Sequence, residues 1–192
     1  MKKILKVPFN KQSFKYSCLP ACMRMILKYY GDDISERKLY KKGRILNYPG
    51  CFFDILSQFL IKRGYSLTSF FNGPVEGWTE NKKLMKILKQ KEKKALARGM
   101  KNRKNAEIST IKNFIDHEVP VIAEVKSNRF YKTKFKGTHA IVIFGYDDKS
   151  FYYHDPEKKR GGKDRKITAK KFYKAWKKIY PKVGRSLMII EK

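Results

Sequence analysis

The stretch from His139 to Asp155 constrains the fold more than any other part of the chain. His139-Ala-Ile-Val-Ile-Phe-Gly-Tyr146 and Phe151-Tyr-Tyr-His-Asp155 are dominated by β-branched, aromatic and other apolar residues, and the polar Asp147-Asp-Lys-Ser150 separates them. Two such runs on either side of a short polar turn predict an antiparallel hairpin. Folding about that turn brings His139 opposite the segment from Asp155 to Lys158.

The N-terminal part has a different periodicity. Leu19, Cys22, Met23, Ile26, Leu27 and Tyr30 recur at helical spacing, Arg24 and Lys28 lie off that face, and Gly31 supplies the stop. Ser17 is placed to cap this helix. Pro20 falls in the first turn, where a missing N–H is tolerated, so Cys18 belongs at the N-terminal end. Ser35 predicts the cap of a short helix through about Lys42, and Asp54 the start of another through about Arg63, closed by Gly64 ahead of a strand over Tyr65 to Phe71. A helix over Thr110 to His117, a buried strand over Val119 to Val125, a closing helix from Thr168 to about Lys178 and a strand over Ser186 to Ile190 complete the pattern. Helices first and antiparallel strands afterwards predict an α+β fold rather than a doubly wound sheet.

With 192 residues, 42% of them hydrophobic and 14% aromatic, the chain has enough apolar material for one packed domain. Residues 82–104 stand apart, with lysine and arginine dominant, Glu92 as the only acid, and a weak apolar stripe of Leu84, Leu88, Ala95 and Leu96. They read as a basic insertion, helical or mobile, bounded at about 76–107, and as a solvated element before a dedicated binding one. The formal net charge of +29 favours contact with polyanions, with that block as the natural place for it. Three cysteines cannot all pair internally, and Cys18 and Cys22 are too close on one helix to form an ordinary staple, so a reducing, cytoplasmic setting is expected. The basic start of the chain is interrupted by Lys6 and Pro8, unlike a signal peptide, and no run approaches the roughly 18 apolar residues of a membrane span.

A thiol at a helix N-terminus meets the positive end of the macrodipole and unpaired N–H groups, both of which favour thiolate. Nucleophilic use of Cys18 then requires a base and a group to orient it. The chain has three histidines. His117, between Asp116 and Glu118, reads as a surface residue, and His154 points to the opposite strand face from its neighbour Asp155. His139 therefore remains as base, with Asp155 within reach to orient it, and Gln12 joins the Cys18 N–H as a candidate oxyanion donor. Cys18, Cys22, Cys51 and His139 form only a weak zinc pattern, so neither metal nor other cofactor is expected. Cys22 reads as a small buried residue, and Cys51 has no assigned role.

Gln12-x5-Cys18-x-Pro-Ala-Cys22-Met-x-Met-Ile-Leu-x-Tyr-Tyr-Gly31 resembles the bacteriocin-processing, double-glycine leader peptidases of the papain-like superfamily. Ile111 to Val121, His139 to Asp147, Asp155-Pro156 and Ile167 to Trp176 are similar, in order, to that family's later blocks, and the likeness runs along most of the chain. It implies a papain-like fold in which a helical part bearing Cys18 packs on an antiparallel sheet bearing His139 and Asp155. It further implies a stand-alone cysteine peptidase acting on a peptide or protein substrate, with Cys18 as nucleophile, His139 as proton shuttle, Asp155 holding the imidazole and Gln12 in the oxyanion hole. Leu19 stands where that family usually has glycine, and the membrane and ATPase parts of its export machines are absent from these 192 residues. A binding module on a protease scaffold and an acyl-transfer enzyme using the same residues are the alternative readings.

Overall fold

The computed structural model describes residues 2–71, 79–134, 137–177 and 184–192. Met1, the first residues of the expected 76–107 insertion, and Lys178 at the expected end of the closing helix lie outside the described residues. The chain opens with β1 (Lys3–Ile4), followed by α1 (Cys18–Tyr29), α2 (Glu36–Gly43), α3 (Phe53–Ile61), β2 (Ser66–Phe71), α4 (Lys82–Leu96), β3 (Lys101–Arg103) and α5 (Ile108–Asp116). It continues with β4 (Val121–Lys126), α6 (Ser127–Phe130), β5 (Thr138–Tyr146), β6 (Ser150–Asp155), β7 (Gly162–Thr168), α7 (Ala169–Trp176) and β8 (Ser186–Glu191). The architecture is α+β. One sheet runs in the order β3-β2-β8-β4-β5-β6-β7, with β1 added to β5, and every pairing is antiparallel except that of β2 with β3.

The predicted hairpin is β5 and β6, with Val142 opposite His154 and a bulge between Ile143 and Gly145. All of Ala140 to Tyr146 is buried, as befits a central strand flanked by β4 and β6 and packed against α1 and α5. Gly145 lets β1 approach, since a Cβ there would lie 2.7 Å from the Lys3 carbonyl oxygen. α7 closes the core through Phe172, which packs edge-on against Phe151 and stacks on Trp176, and the Trp176 indole N–H donates to the Ser186 carbonyl at 2.9 Å. Three predicted helix ends follow from local chemistry: Ser35 accepts from the Lys38 N–H, Thr168 caps α7 through the Lys171 N–H, and Gly64 takes a positive φ after α3. α5 begins at Ile108, before the expected Thr110, because the Thr110 hydroxyl reaches back to accept from the Glu107 N–H at 3.0 Å.

Within residues 82–104, Asn81 caps α4, and Leu84, Leu88 and Ala95 turn inward while Leu96 is exposed. The helix lies beside α3, where Gln58 bonds to both the Lys91 carbonyl and the Arg98 guanidinium. The chain then returns as β3, three exposed residues running parallel to β2.

One expectation is corrected. Ser17 occupies the residue before α1 but does not cap it: its hydroxyl lies 2.7 Å from Glu36 Oε1 and accepts from the Phe14 N–H at 3.2 Å. Glu36 is only 2% exposed, and its carboxylate also accepts from the Ser13 N–H at 2.8 Å, the Ser13 hydroxyl at 3.1 Å and Asn10 Nδ2 at 3.1 Å. With its hydrogen directed to a charged acceptor and its oxygen taking the Phe14 N–H, the hydroxyl is turned away from the free N–H groups of the helix end. The result is that α2 anchors both the Asn10–Ser13 loop and the start of α1. Replacing Glu36 with alanine leaves these buried donors unmet, and a loss of about 2–4 kcal/mol in denaturant unfolding is expected, with a smaller loss for Glu36→Gln.

Candidate active site

Cys18, at the start of α1, and His139, near the start of β5, come from residues far apart in sequence. The Cys18 sulfur is within hydrogen-bond reach of the His139 side chain and of the Ala140 backbone N–H. On the other side of the ring, His139 Nε2 lies 2.7 Å from Asp155 Oδ1. Asp155 thus occupies Nε2, leaving Nδ1 as the ring nitrogen for the thiol. His139 is 6% exposed and Asp155 1%, so the pair is shielded from water.

Asp155 is itself held on several sides. Tyr131 donates its phenol to Oδ2 at 2.6 Å and the Glu157 N–H donates to Oδ1 at 3.0 Å. Gly161 passes so close that a Cβ would fall 2.5 Å from the Asp155 carbonyl oxygen and 2.8 Å from Oδ1. The Pro156 carbonyl accepts from the Gln12 N–H at 2.9 Å, which links the aspartate turn to the loop ahead of α1. The Gln12 side chain lines a small cavity with Cys18, His139 and Tyr131; its Nε2 donates to the Phe14 carbonyl at 3.3 Å, and its buried Oε1 has no hydrogen-bond partner among the described residues.

The four residues singled out from the sequence therefore surround one point: Cys18, His139 and Asp155 in a hydrogen-bonded series, and Gln12 beside it. The remaining histidines lie elsewhere. His154 contacts the Val7 carbonyl through Nε2 at 2.8 Å and accepts the Asp164 N–H on Nδ1, an arrangement that fits a neutral ring, and its burial pulls its pKa down. His117 is exposed, with Nδ1 2.8 Å from the Asn113 carbonyl.

Burial alone would raise the Cys18 thiol, but the hydrogen bond and charge of His139 and the Ala140 N–H outweigh it and bring the pKa below the ordinary thiol value. Burial alone would likewise lower His139, yet its hydrogen bond to Asp155 and the bond and charge of Cys18 raise it to about 10. Both shifts favour a thiolate–imidazolium pair. Burial drives the other cysteines the opposite way: Cys22 goes well up and Cys51 to about 12. Among the described residues, no group of three or more His, Cys, Asp and Glu side chains is arranged to hold a metal ion.

Next to the thiol lies a cavity of about 340 Å³, walled by Leu19, Phe53 and Met188 and also lined by Glu124. Tyr131, Gly161, Glu36 and Glu124 were not among the sequence-derived candidates. Tyr131 and Glu124 lie in segments without a motif, and only the Gly161-Gly162 pair marked its turn.

Solved structures share this arrangement of elements. A C39-like protein from Bacillus anthracis is 17% identical with a TM-score of 0.61, covering 100% of this chain and 98% of its own. A double glycine motif protease from an AMS/PCAT transporter, solved with the leader peptide, is 16% identical with a TM-score of 0.56, covering 99% of this chain and 95% of its own. Xylellain, a cysteine protease from Xylella fastidiosa, is 15% identical with a TM-score of 0.59, covering 100% of this chain and 85% of its own. No curated protein matches. The fold is papain-like, a helical part packed on a mainly antiparallel sheet. Residues 4–183 match the model of one family, and the chain belongs to the Peptidase_C39 like family.

Proposed function

We propose that this protein is a cysteine peptidase that cleaves a peptide or related amide bond through a thioester acyl-enzyme. The observation that carries this reading is the series Cys18–His139–Asp155, in which the thiol alone among the cysteines is brought below its ordinary pKa. The Cys18 thiolate attacks the substrate carbonyl carbon, and the oxyanion takes hydrogen bonds from the Cys18 backbone N–H and from Gln12 Nε2, which has a second N–H beyond the one given to Phe14. The His139 imidazolium then protonates the departing amine, leaving a thioester and a neutral ring. Imidazole next deprotonates a water that attacks the thioester, releasing the acid and restoring the ion pair. Asp155 keeps Nε2–H engaged through both half-reactions, so that Nδ1 is the nitrogen exchanging protons with the reacting groups. An amine in place of that water would make the same residues an acyl transferase.

The family and the peptidase neighbours support a peptide substrate. The assembled series also favours an enzyme over a binding module on the same scaffold, because a binding surface needs no thiolate buried against an imidazole. Membrane-spanning helices are absent among the described residues.

Two outcomes are expected. Cys18→Ala abolishes turnover of a panel of fluorogenic peptide amides while leaving the melting transition in place; residual turnover in this variant would refute the nucleophile. Alkylation of Cys18 by iodoacetamide, followed by peptide mass mapping, proceeds at a plateau rate from the lowered thiol pKa up to about 10, where His139 loses its proton, and falls off below the thiol pKa as the sulfur is protonated. Labelling at neutral pH that favours Cys51 over Cys18 would sink the reading.

A further inference from the structure

The cavity beside Cys18 contains a carboxylate that the bond-breaking steps do not use. Glu124 lies in the middle of β4, opposite Ala140 of β5, and is 9% exposed. The Thr138 and Ser186 side chains hydrogen-bond to it, yet its Oε2 is buried without a partner among the described residues. Burial pushes the Glu124 carboxyl up from its ordinary value, against the Thr138 and Ser186 hydrogen bonds and the Lys126 charge, so a positive group brought beside it favours its ionised form.

The surroundings narrow the choice of donor. The cavity walls are otherwise largely apolar, with Leu19, Pro49, Phe52, Phe53 and Met188. The Cys18 thiolate, the His139 imidazolium and the Asp155 carboxylate already sum to one negative charge, and Glu124, once ionised beside a cation, adds a second. Although the chain carries 46 lysines and arginines, none lines this cavity among the described residues. Lys126, two positions further along β4, acts on Glu124 through its charge without reaching Oε2. A largely apolar cavity with a single carboxylate residue in its wall matches an aliphatic stem with a cationic head. Its volume of about 340 Å³ accepts a long side chain and would stand mostly empty over glycine.

We propose that Glu124 is the specificity-determining residue of this site and selects peptide substrates that place a lysine or arginine side chain in the cavity beside Cys18. The inference rests on the peptidase reading above. It also gives a purpose to an opposing effect: the negative charge of Glu124 works against formation of the Cys18 thiolate. A bound ammonium or guanidinium neutralises that charge, so the fitting substrate strengthens the nucleophile that attacks it. The high positive charge of the chain does not prevent this, because exposed charges more than about 8–10 Å away are largely screened at physiological salt while a buried pair is not.

The test uses the full chain and a positional library of fluorogenic peptides. At one position, lysine and arginine should exceed norleucine by at least about tenfold in kcat/KM, and in Glu124→Gln that ratio should fall to about one. A binding measurement independent of turnover accompanies it: n-butylguanidinium should slow iodoacetamide labelling of Cys18 in the native protein more than n-butylurea does, and this difference should vanish in Glu124→Gln. A library profile with no basic preference at any position, a preference for glutamine over lysine, or equal protection by the two ligands in the native protein would overturn the proposal while leaving the peptidase reading intact. Absence of all peptide turnover together with an inert Cys18 would instead overturn the peptidase reading itself. Should Glu124→Gln fail to fold, the native library profile and the protection pair still decide the matter.

Discussion

The buried hydrogen bond between His139 Nε2 and Asp155 Oδ1 is the constraint from which the site's chemistry follows. It fixes the ring's orientation, leaves its second nitrogen for the thiol, and supplies negative charge that favours the protonated imidazole. Because the partners sit on adjacent strands, the bond is built into the sheet register: with Val142 opposite His154, the end of β6 comes level with the start of β5. The bulge near Phe144 lies at the far end of the hairpin, so register at the His139 end is undisturbed.

A carboxylate does comparable service on the helical side. Glu36 gathers Asn10, Ser13 and Ser17, and so sets where Gln12 and Cys18 stand relative to each other. The Gln12 N–H bond to the Pro156 carbonyl then ties this cluster to the Asp155 turn, making the helical and sheet halves of the site mutually dependent. Tyr131 and Gly161 complete the enclosure of Asp155, one by donating to it and the other by taking up no room. Four groups outside the Cys18–His139–Asp155 series therefore limit its motion, which is how a polar site stays ordered at the seam between two layers.

Much of this was legible because the signals were local. The apolar runs of β5 and β6, the 3.6-residue periodicity of α1 and the caps at Ser35 and Thr168 all depend on near neighbours, and each element appears within a residue or two of its expected place. The site residues were legible for a related reason: three histidines left few candidates, and strand alternation separated His154 from Asp155. What escaped the sequence depends on long-range partners. β7 reads Gly-Lys-Asp-Arg-Lys-Ile-Thr with no apolar alternation, since backbone bonds and polar contacts such as Lys166 over the Tyr152 ring join it to β6, and β3 is three polar residues defined by β2. Ser17 misled because a cap and a hydrogen bond to a distant carboxylate demand the same residue type, and nothing near position 17 announces Glu36.

Among the described residues β3 and β7 are also the two rims of the sheet, and sheet rims in general invite a second molecule to add its own strand. Here those rims carry Lys101 and Arg103 on one side and Lys163, Arg165 and Lys166 on the other. Two molecules meeting rim to rim would bring rows of like charge within a strand's spacing of each other. Part of the chain's cationic excess thus has a consequence unrelated to any anionic ligand: it discourages the protein from polymerising with itself.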